Sequence, residues 1–599
     1  MTAPSPLEAV DGVLVLAITA DGQALDDTIP VISVETWSSV NKIPRARIVL
    51  TDGDMPSGTF PVSDSATLLP GAAVTIAAGY AAGEEKTTIF EGIVIKHGIV
   101  ITSGNESRLV VELADKAIKM TVSRQTAVFE ENTDSDLMSA LISAHGLTAD
   151  VESTTASHEA VVQFAASDWD TLLYRADING LFVITTAGTV SVKAPDTSQA
   201  AVLRVAYGES LLSIRTDMDA VSQLAQSAVK SMAWDIKTQA LLTAAAGSAN
   251  VKEVGNVSSA TLAAVCGADE YAQLTGGYVT NEDLQTWSTA RLLRAQFAKI
   301  RGRAEFQGSA LAKPGVMITL EGVGDRFSGD VFVSGVRHEL RDGNWTTTAD
   351  FGLAADWFSQ QESAAVTSAS GHLPPVKGLQ TGVVKQIDED PAGEYRVQVT
   401  LPLLQDAGAV WARLSSSYAS SSVGAVFYPE VGDEVVIAFM NEDPRFPVIL
   451  GSLYSSKLAP PKPPDKENKV KGLVTRSKME FTFDETDKVI VLKTPGNHVI
   501  TISDTAKAIT IVDSQNNSVT LNDSGVTIES KSNMTLKATG NISLEATGNL
   551  SMKATSNATL EGLQIDLKAQ TALSAQGNAS AELKSSGMVT VQGALVKIN

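Results

Sequence analysis

The chain has 599 residues, a 44% hydrophobic content and a formal net charge of −22, so it is long enough for several packed domains and too apolar for disorder. The negative balance argues against a nucleic-acid groove, which needs clustered Lys and Arg, and against static docking on an anionic membrane. One cysteine, Cys266, excludes an internal disulfide framework and any thiolate metal cluster. The opening MTAPSPLEAVDG lacks a basic and then apolar leader, so no signal peptide is expected, and no run is long and apolar enough for a spanning helix.

In chain order, alternating apolar runs at 13–19, 31–37, 46–51, 73–78, 87–101 and 108–114 predict an antiparallel, barrel-like sheet. Thr133 or Asp134 caps a predicted helix carrying Leu137, Met138, Leu141 and Ile142, which Gly146 ends. Ser167 and Asp170 open a second, with Trp169, Leu172, Leu173 and Ala176, ending at Gly180. A third is predicted over 282–299. Strands resume at 300–306, 316–320, 330–340 and 345–351.

Two stretches rich in small, polar or proline residues, QQESAAVTSASGHLPP and SSKLAPPKPPDKENKVKG, resist both helix and sheet. They divide the chain into a first block over 1–357, a linker at 358–377, a compact all-β block over 378–455, a second linker at 456–477 and a repetitive block over 478–599. The middle block shows strand patterns near 379–386, 394–401, 410–414, 423–427, 434–439 and 447–450. Five or six short strands in so few residues fit a small closed OB-type barrel.

The last block repeats an apolar–polar–apolar unit, clearest in SNMTLKAT, GNISLEAT, GNLSMKAT and SNATLEGL. Residues i and i+2 of a strand share a face, so Met534/Leu536, Ile542/Leu544, Leu550/Met552, the pair closing on Leu560, and Ile565/Leu567 point inward together. Looser copies extend the series from 481/483 to Val596/Ile598, with Gly-Asn and Ser-Asn turns between units. One strand with two inward residues buries too little alone, and a fixed period means stacking. Three identical chains wound round one axis make a sufficient core. Lys537, Glu545, Lys553 and Glu561 follow successive pairs, so stacking each octad on its neighbour's next octad sets Lys against Glu. Each exposed pair contributes about 0–1 kcal/mol, which sets register more than stability.

The middle segment, with EYRVQVTLPLL, VWARL, PEVGDEVVIAF and DPRFPVILGSLY, resembles the OB domain of VgrG-type spikes and of contractile-phage central spikes. IFEGIVIKHGIV, SDWDTLLYRADINGLFVIT and PGVMITLEGVGDRFSGDVFVSGVRHEL resemble the hub of that family, and the octads resemble its trimeric β-helix needle. The resemblance spans essentially the whole chain. It implies a mainly β homotrimer whose hub has two barrel-like domains per chain, followed by an OB barrel and an intertwined triple-stranded β-helix. It further implies a ring that matches a six-fold inner tube, baseplate partners, possible cargo effectors and transient contact with a target membrane. Such a protein is made in the cytoplasm and built into a phage tail-like particle.

Some relatives insert a lysozyme before the needle or append a toxin after it. Here the linker is too short for the first, and the series runs to the last residue, so neither is expected. The His-x-His of certain metal-bearing tips is also absent, which points to a separate PAAR-like tip protein docking at Val596, Ile598 and Asn599. No cofactor or catalytic residue is expected. The six histidines have no ligand spacing, and His338-Glu339 at a predicted strand end has a structural or solvated role. Glu130-Glu131 and Asp134 with Asp136 precede a helix, where acidic residues favour its N-terminus. AAGYAAGE and EGVGDRFSG lack a phosphate-loop Lys and are hairpin turns. A solenoid enzyme would gather acidic residues on one face, and an adhesin would carry a leader and an anchor; neither pattern is present.

Overall fold

A computed structural model describes residues 3–9, 12–80, 86–104, 106–235, 238–275, 279–360, 373, 375–404 and 408–598. The chain divides into two units, Met1–Ser452 and Leu453–Asn599.

In the first unit, strands Leu14–Ala20, Val31–Ser39, Arg45–Thr51, Ala73–Tyr80, Thr87–Ile101 and Ser107–Ala114 form one antiparallel sheet. Their period-two alternation sends Ile48, Leu50, Ile76, Leu109, Val111 and Leu113 into a common core, as half-buried strands require. A second group of strands is built from Leu203–Ala206, Leu211–Met218, Ile300–Gln307, Met317–Glu321, Gly329–Arg341 and Asn344–Phe351, around Phe306, Ile318, Leu320, Val333 and Phe351. The two groups of strands, each around its own core, belong to one 13-stranded sheet. The strand Gly329–Arg341 fuses them, because Gly335 to Arg341 pair with Ser39 to Ser33. A register shift falls between Val333 and Gly335, and a Cβ at 335 would lie 2.7 Å from Ser39 Oγ, so a larger residue there must displace the Ser39 side chain.

Each sheet carries an inserted satellite. The first contains helices α1 (Asp134–Ser143) and α2 (Asp168–Ile178), a hairpin of Gln125–Thr133 with Ser157–Ala166, and a three-stranded sheet of Thr148–Val151, Phe182–Thr186 and Thr189–Lys193. The second contains α3 (Ser259–Cys266), α4 (Asn281–Phe297) and strands Val229–Asp235, Ala240–Ala245 and Tyr271–Thr275. Both three-stranded sheets combine one antiparallel with one parallel pairing. Thr133, Ser167 and Ser258 each accept a backbone N–H as N-caps, and Thr280 with Asp283 closes a full capping box on α4.

Acidic residues before α1 behave differently from the sequence expectation. Glu130 and Glu131 lie inside strand Gln125–Thr133, beyond reach of the helix start, because the chain enters the hairpin first. Asp134 is in the first turn but buried, and it serves an ion pair more than the helix end. His338 lies three residues before the end of Gly329–Arg341 and is 5% exposed, so its role is structural and the solvated alternative falls away.

Lys299, just after α4, is buried and donates to the Glu253 carboxylate and to the carbonyls of Val254 (3.0 Å) and Val257 (3.1 Å). It therefore pins the irregular segment 251–258 onto the second sheet. Lys299→Ala removes all three of these bonds, an expected loss of about 1–3 kcal/mol. Hydrogen exchange should read this as faster amide exchange confined to residues 251–259; unchanged protection there refutes the role.

Strands Gln380–Gln386, Val397–Thr400, Ala409–Leu414, Glu434–Phe439 and Pro447–Ser452 close a five-stranded barrel around Val384, Val397, Val399, Ala412, Val435, Ile437 and Ile449. The sixth run, expected at 423–427, contributes only Val423–Gly424 to a small hairpin outside the barrel. EGVGDRFSG joins antiparallel neighbours, whereas part of AAGYAAGE and most of the first linker lie outside the described residues.

The second unit holds a seven-stranded antiparallel meander: Val470–Val474, Glu480–Asp484, Val489–Lys493, Val499–Ser503, Ala508–Val512, Ser518–Asn522 and Gly525–Glu529. Five of its turns contain a non-glycine residue in the left-handed region, at Lys478, Lys488, Asn497, Lys507 and Asn516. Here the expected uniform octad series needs correction. Pairs from 481 to 521 are spaced nine or ten residues apart, long enough for a tight hairpin, so each strand folds back on its predecessor within one chain. From 534 the spacing is seven or eight, and no strand is assigned among residues 531–598.

Candidate assembly surface

Register places every apolar pair of the meander on one face. One row across the strands is Leu473, Phe481, Leu492, Ile500, Ile511, Val519 and Ile528. The neighbouring row is Phe483, Ile490, Ile502, Ile509, Leu521 and Val526. Between them, facing the other way, run Thr482, Val491, Thr501, Thr510, Thr520 and Thr527, so β-branched Thr supplies strand propensity and a wettable back.

The apolar face is uncovered within the chain: Leu492 and Ile511 are each 46% exposed and Val526 67%. An isolated soluble sheet does not keep such a face in water. Fully burying one Ile, Leu or Phe gains about 1.5–3 kcal/mol, and a contiguous patch of this kind marks an interaction site.

The octads make the same demand more strongly. Met534, Leu536, Ile542, Leu544, Leu550, Met552, Leu560, Ile565 and Leu567 are all exposed. Among the described residues of 531–598 no backbone ladder forms within the chain, so rows of N–H and C=O groups await partners. Lys537, Glu545, Lys553 and Glu561 are exposed as well, and no ion pair joins them within the chain among the described residues. Val596 and Ile598 are exposed; Asn599 lies outside the described residues.

The titratable clusters of the hub are occupied by packing. His145 Nε2 lies 2.7 Å from Asp168, which also accepts from Gln163. Asp134 accepts from Arg175 Nε (2.6 Å), Arg175 Nη2 (2.8 Å) and Asn179 (2.7 Å), with His158 Nε2 at 3.3 Å. Burial alone would raise the Asp134 carboxyl, but the Arg175 hydrogen bonds and charge, with Asn179, outweigh it and hold the group below the usual carboxylate range. Among the described residues no group of three or more His, Cys, Asp or Glu is arranged to hold a metal ion, and no helix is long and apolar enough to cross a membrane.

In chain order a two-sheet hub, a five-stranded barrel and an uncovered repetitive β region follow one another, the order expected of a VgrG-type spike, and the chain is similar to proteins of that kind. Residues 380–454 match the type VI secretion system/phage-baseplate injector OB domain. Residues 10–342, more than half of the chain, match the Alg8 N-terminal domain, and the chain belongs to that family.

The type VI secretion system spike protein VgrG1b of Pseudomonas aeruginosa is 26% identical over 204 residues, covering 31% of this chain and 27% of that protein. The actin cross-linking toxin VgrG1 of Vibrio cholerae is 36% identical over 56 residues, covering 9% of this chain and 5% of the toxin. The chain thus spans less than a third of the length of these curated relatives. Among solved structures, the 43 kDa tail protein of prophage MuSo2 from Shewanella oneidensis aligns over 57% of this chain and 99% of its own, with 11% identity and a TM-score of 0.42.

Proposed function

We propose that the chain is the trimeric hub and spike at the tip of a contractile injection particle, converting axial force from sheath contraction into puncture of a target envelope. The observation that carries this is the uncovered second unit: a one-sided apolar meander continuing into octads with no partner strands of their own. Three copies supply what one lacks. Three meander faces turned toward a common axis bury both apolar rows, and the octads of each chain pair with those of the other two.

The hub reading follows the same arithmetic. Two sheets per chain, each with a satellite, give six similar units in a trimer, a ring suited to a six-fold inner tube and to baseplate proteins around it. Val596 and Ile598, which are exposed and apolar, offer with Asn599 a surface for a PAAR-like tip protein. Interwoven backbone hydrogen bonds share axial load among three chains, and a role that transmits force needs no catalytic group. Cargo effectors and brief contact with the target membrane complete the set of partners, and the particle is phage tail-like.

Native mass spectrometry of the full-length protein tests the stoichiometry. The expected species is three times the 62.8 kDa chain at micromolar concentration. A stable monomer under those conditions overturns the reading.

A further inference from the structure

A cavity of about 210 Å³ lies where the two hub sheets and the first satellite meet, lined among others by Phe90, Glu91, Asp115, Thr185, Lys313 and His338. Three of its polar side chains are more than nine-tenths buried: Asp115, Thr185 and His338 are 1%, 4% and 5% exposed. All three hold unused hydrogen-bonding capacity.

The His338 tautomer follows from its neighbours. Thr347 Oγ1 accepts from the Ser309 N–H and lies 2.9 Å from His338 Nδ1. Trp345 Nε1–H also points to Nδ1, at 3.4 Å. Nδ1 is therefore an acceptor and Nε2 carries the proton. Burial, with the nearby Lys313 charge, lowers the imidazole pKa to about 3, so the ring stays neutral and Nε2–H is a donor with no hydrogen-bond partner among the described residues. The Thr185 hydroxyl has no partner either.

Asp115 supplies the opposite pole. Its oxygens accept from the Ala117 N–H (2.8 Å) and the Gly188 N–H (3.1 Å), one each, and retain lone pairs. Burial chiefly, and Glu91 nearby, push the carboxyl up against those two hydrogen bonds and Lys116. The cavity is thus dipolar: carboxylates around Asp115 and Glu91, donors around His338 and Lys313. An apolar occupant would strand these groups, and an ion of either sign would meet like charge at one pole.

We propose that this cavity binds a small zwitterion of amino-acid size, its carboxylate on His338 Nε2–H and Lys313 Nζ, its ammonium on Asp115 and Glu91, with Thr185 Oγ1 completing the contacts. At about 30 Å³ per water the space holds about seven waters, which suits a ligand of roughly six to ten heavy atoms. The proposal is independent of the spike's assembly, and trimer mass is unaffected by its failure.

The test uses the full-length protein with glycine, alanine, serine and proline, and with acetate and methylammonium as single-charge controls. Saturation-transfer NMR and thermal unfolding are the readouts. At least one amino acid should give a transfer signal and raise the hub's melting temperature, while the controls do neither. Thr185→Val should keep or raise the unliganded melting temperature, because the hydroxyl it removes is unpartnered, yet lose the signal. Lys313→Met, at the exposed rim, should weaken binding about tenfold. Absence of binding by all four amino acids, equal binding by acetate alone, or undiminished binding by Thr185→Val overturns the assignment.

Discussion

Leu544→Asp abolishes trimer formation. In a three-chain needle residue 544 of every copy meets the axis, so one substitution buries three carboxylates with no cation beside them. An unpaired buried charge costs several kcal/mol even after relaxation, and three exceed about 10 kcal/mol, comparable with the whole stability of a domain. Protonation relieves this only in part, because each neutral carboxyl still lacks a hydrogen-bond partner. Ser543→Asp, one residue away on the opposite face, is the control and should leave the trimer intact. Light scattering distinguishes the two: normal trimer yield for Leu544→Asp refutes the inward placement.

The second large effect is expected in the first satellite. Arg175→Ala removes the bidentate partner of Asp134, whose side chain is only 4% exposed, and leaves that carboxylate with Asn179 and His158 alone. Breaking such a pair costs about 3–5 kcal/mol, because the remaining charge stays buried. The network joins α1 to α2, so the loss should appear as early melting and protease sensitivity of residues 125–193.

The pH dependence carries a sign. Asp134 is depressed in the folded protein, so its contribution is complete above the unfolded value of about 3.9 and is lost as pH falls through the folded value. Arg175→Ala removes the depression. Acid unfolding of the satellite should therefore begin at higher pH than in the parent protein. An unchanged acid limb would show that Arg175 does not set the carboxyl's state.

Much of this architecture was readable because the chain announces it through local pattern. Period-two runs such as Ala46–Ile48–Leu50 mark half-buried strands, and Thr133 and Ser167 stand where helix caps are needed. The OB barrel was recognisable from its turn-and-strand phrases. By contrast, the three-stranded satellite sheets and α3 left little trace. Tyr271–Thr275 has only five residues, and α3 is apolar nearly all round, so neither carries a clean period.

In the last block the apolar pairs were readable and the strand connectivity was not. A pair such as Ile500/Ile502 looks the same whether its neighbour is the same chain or another. Unit length does not separate the two cases, because nine- and ten-residue units and the seven-residue step from Val519 to Val526 all close hairpins within the chain. Cavity groups such as Asp115, Thr185 and His338 come from three distant parts of the sequence, and only folding brings them together.

The central claim is that residues 532–598 acquire their strand partners from other copies of the chain. Amide hydrogen exchange on the full-length protein tests it directly. A single chain has no ladder there among its described residues, so protection can come only from assembly. The account predicts slow exchange throughout 532–598, collapsing to unprotected rates in Leu544→Asp. Fast exchange across these residues in the parent protein would contradict it.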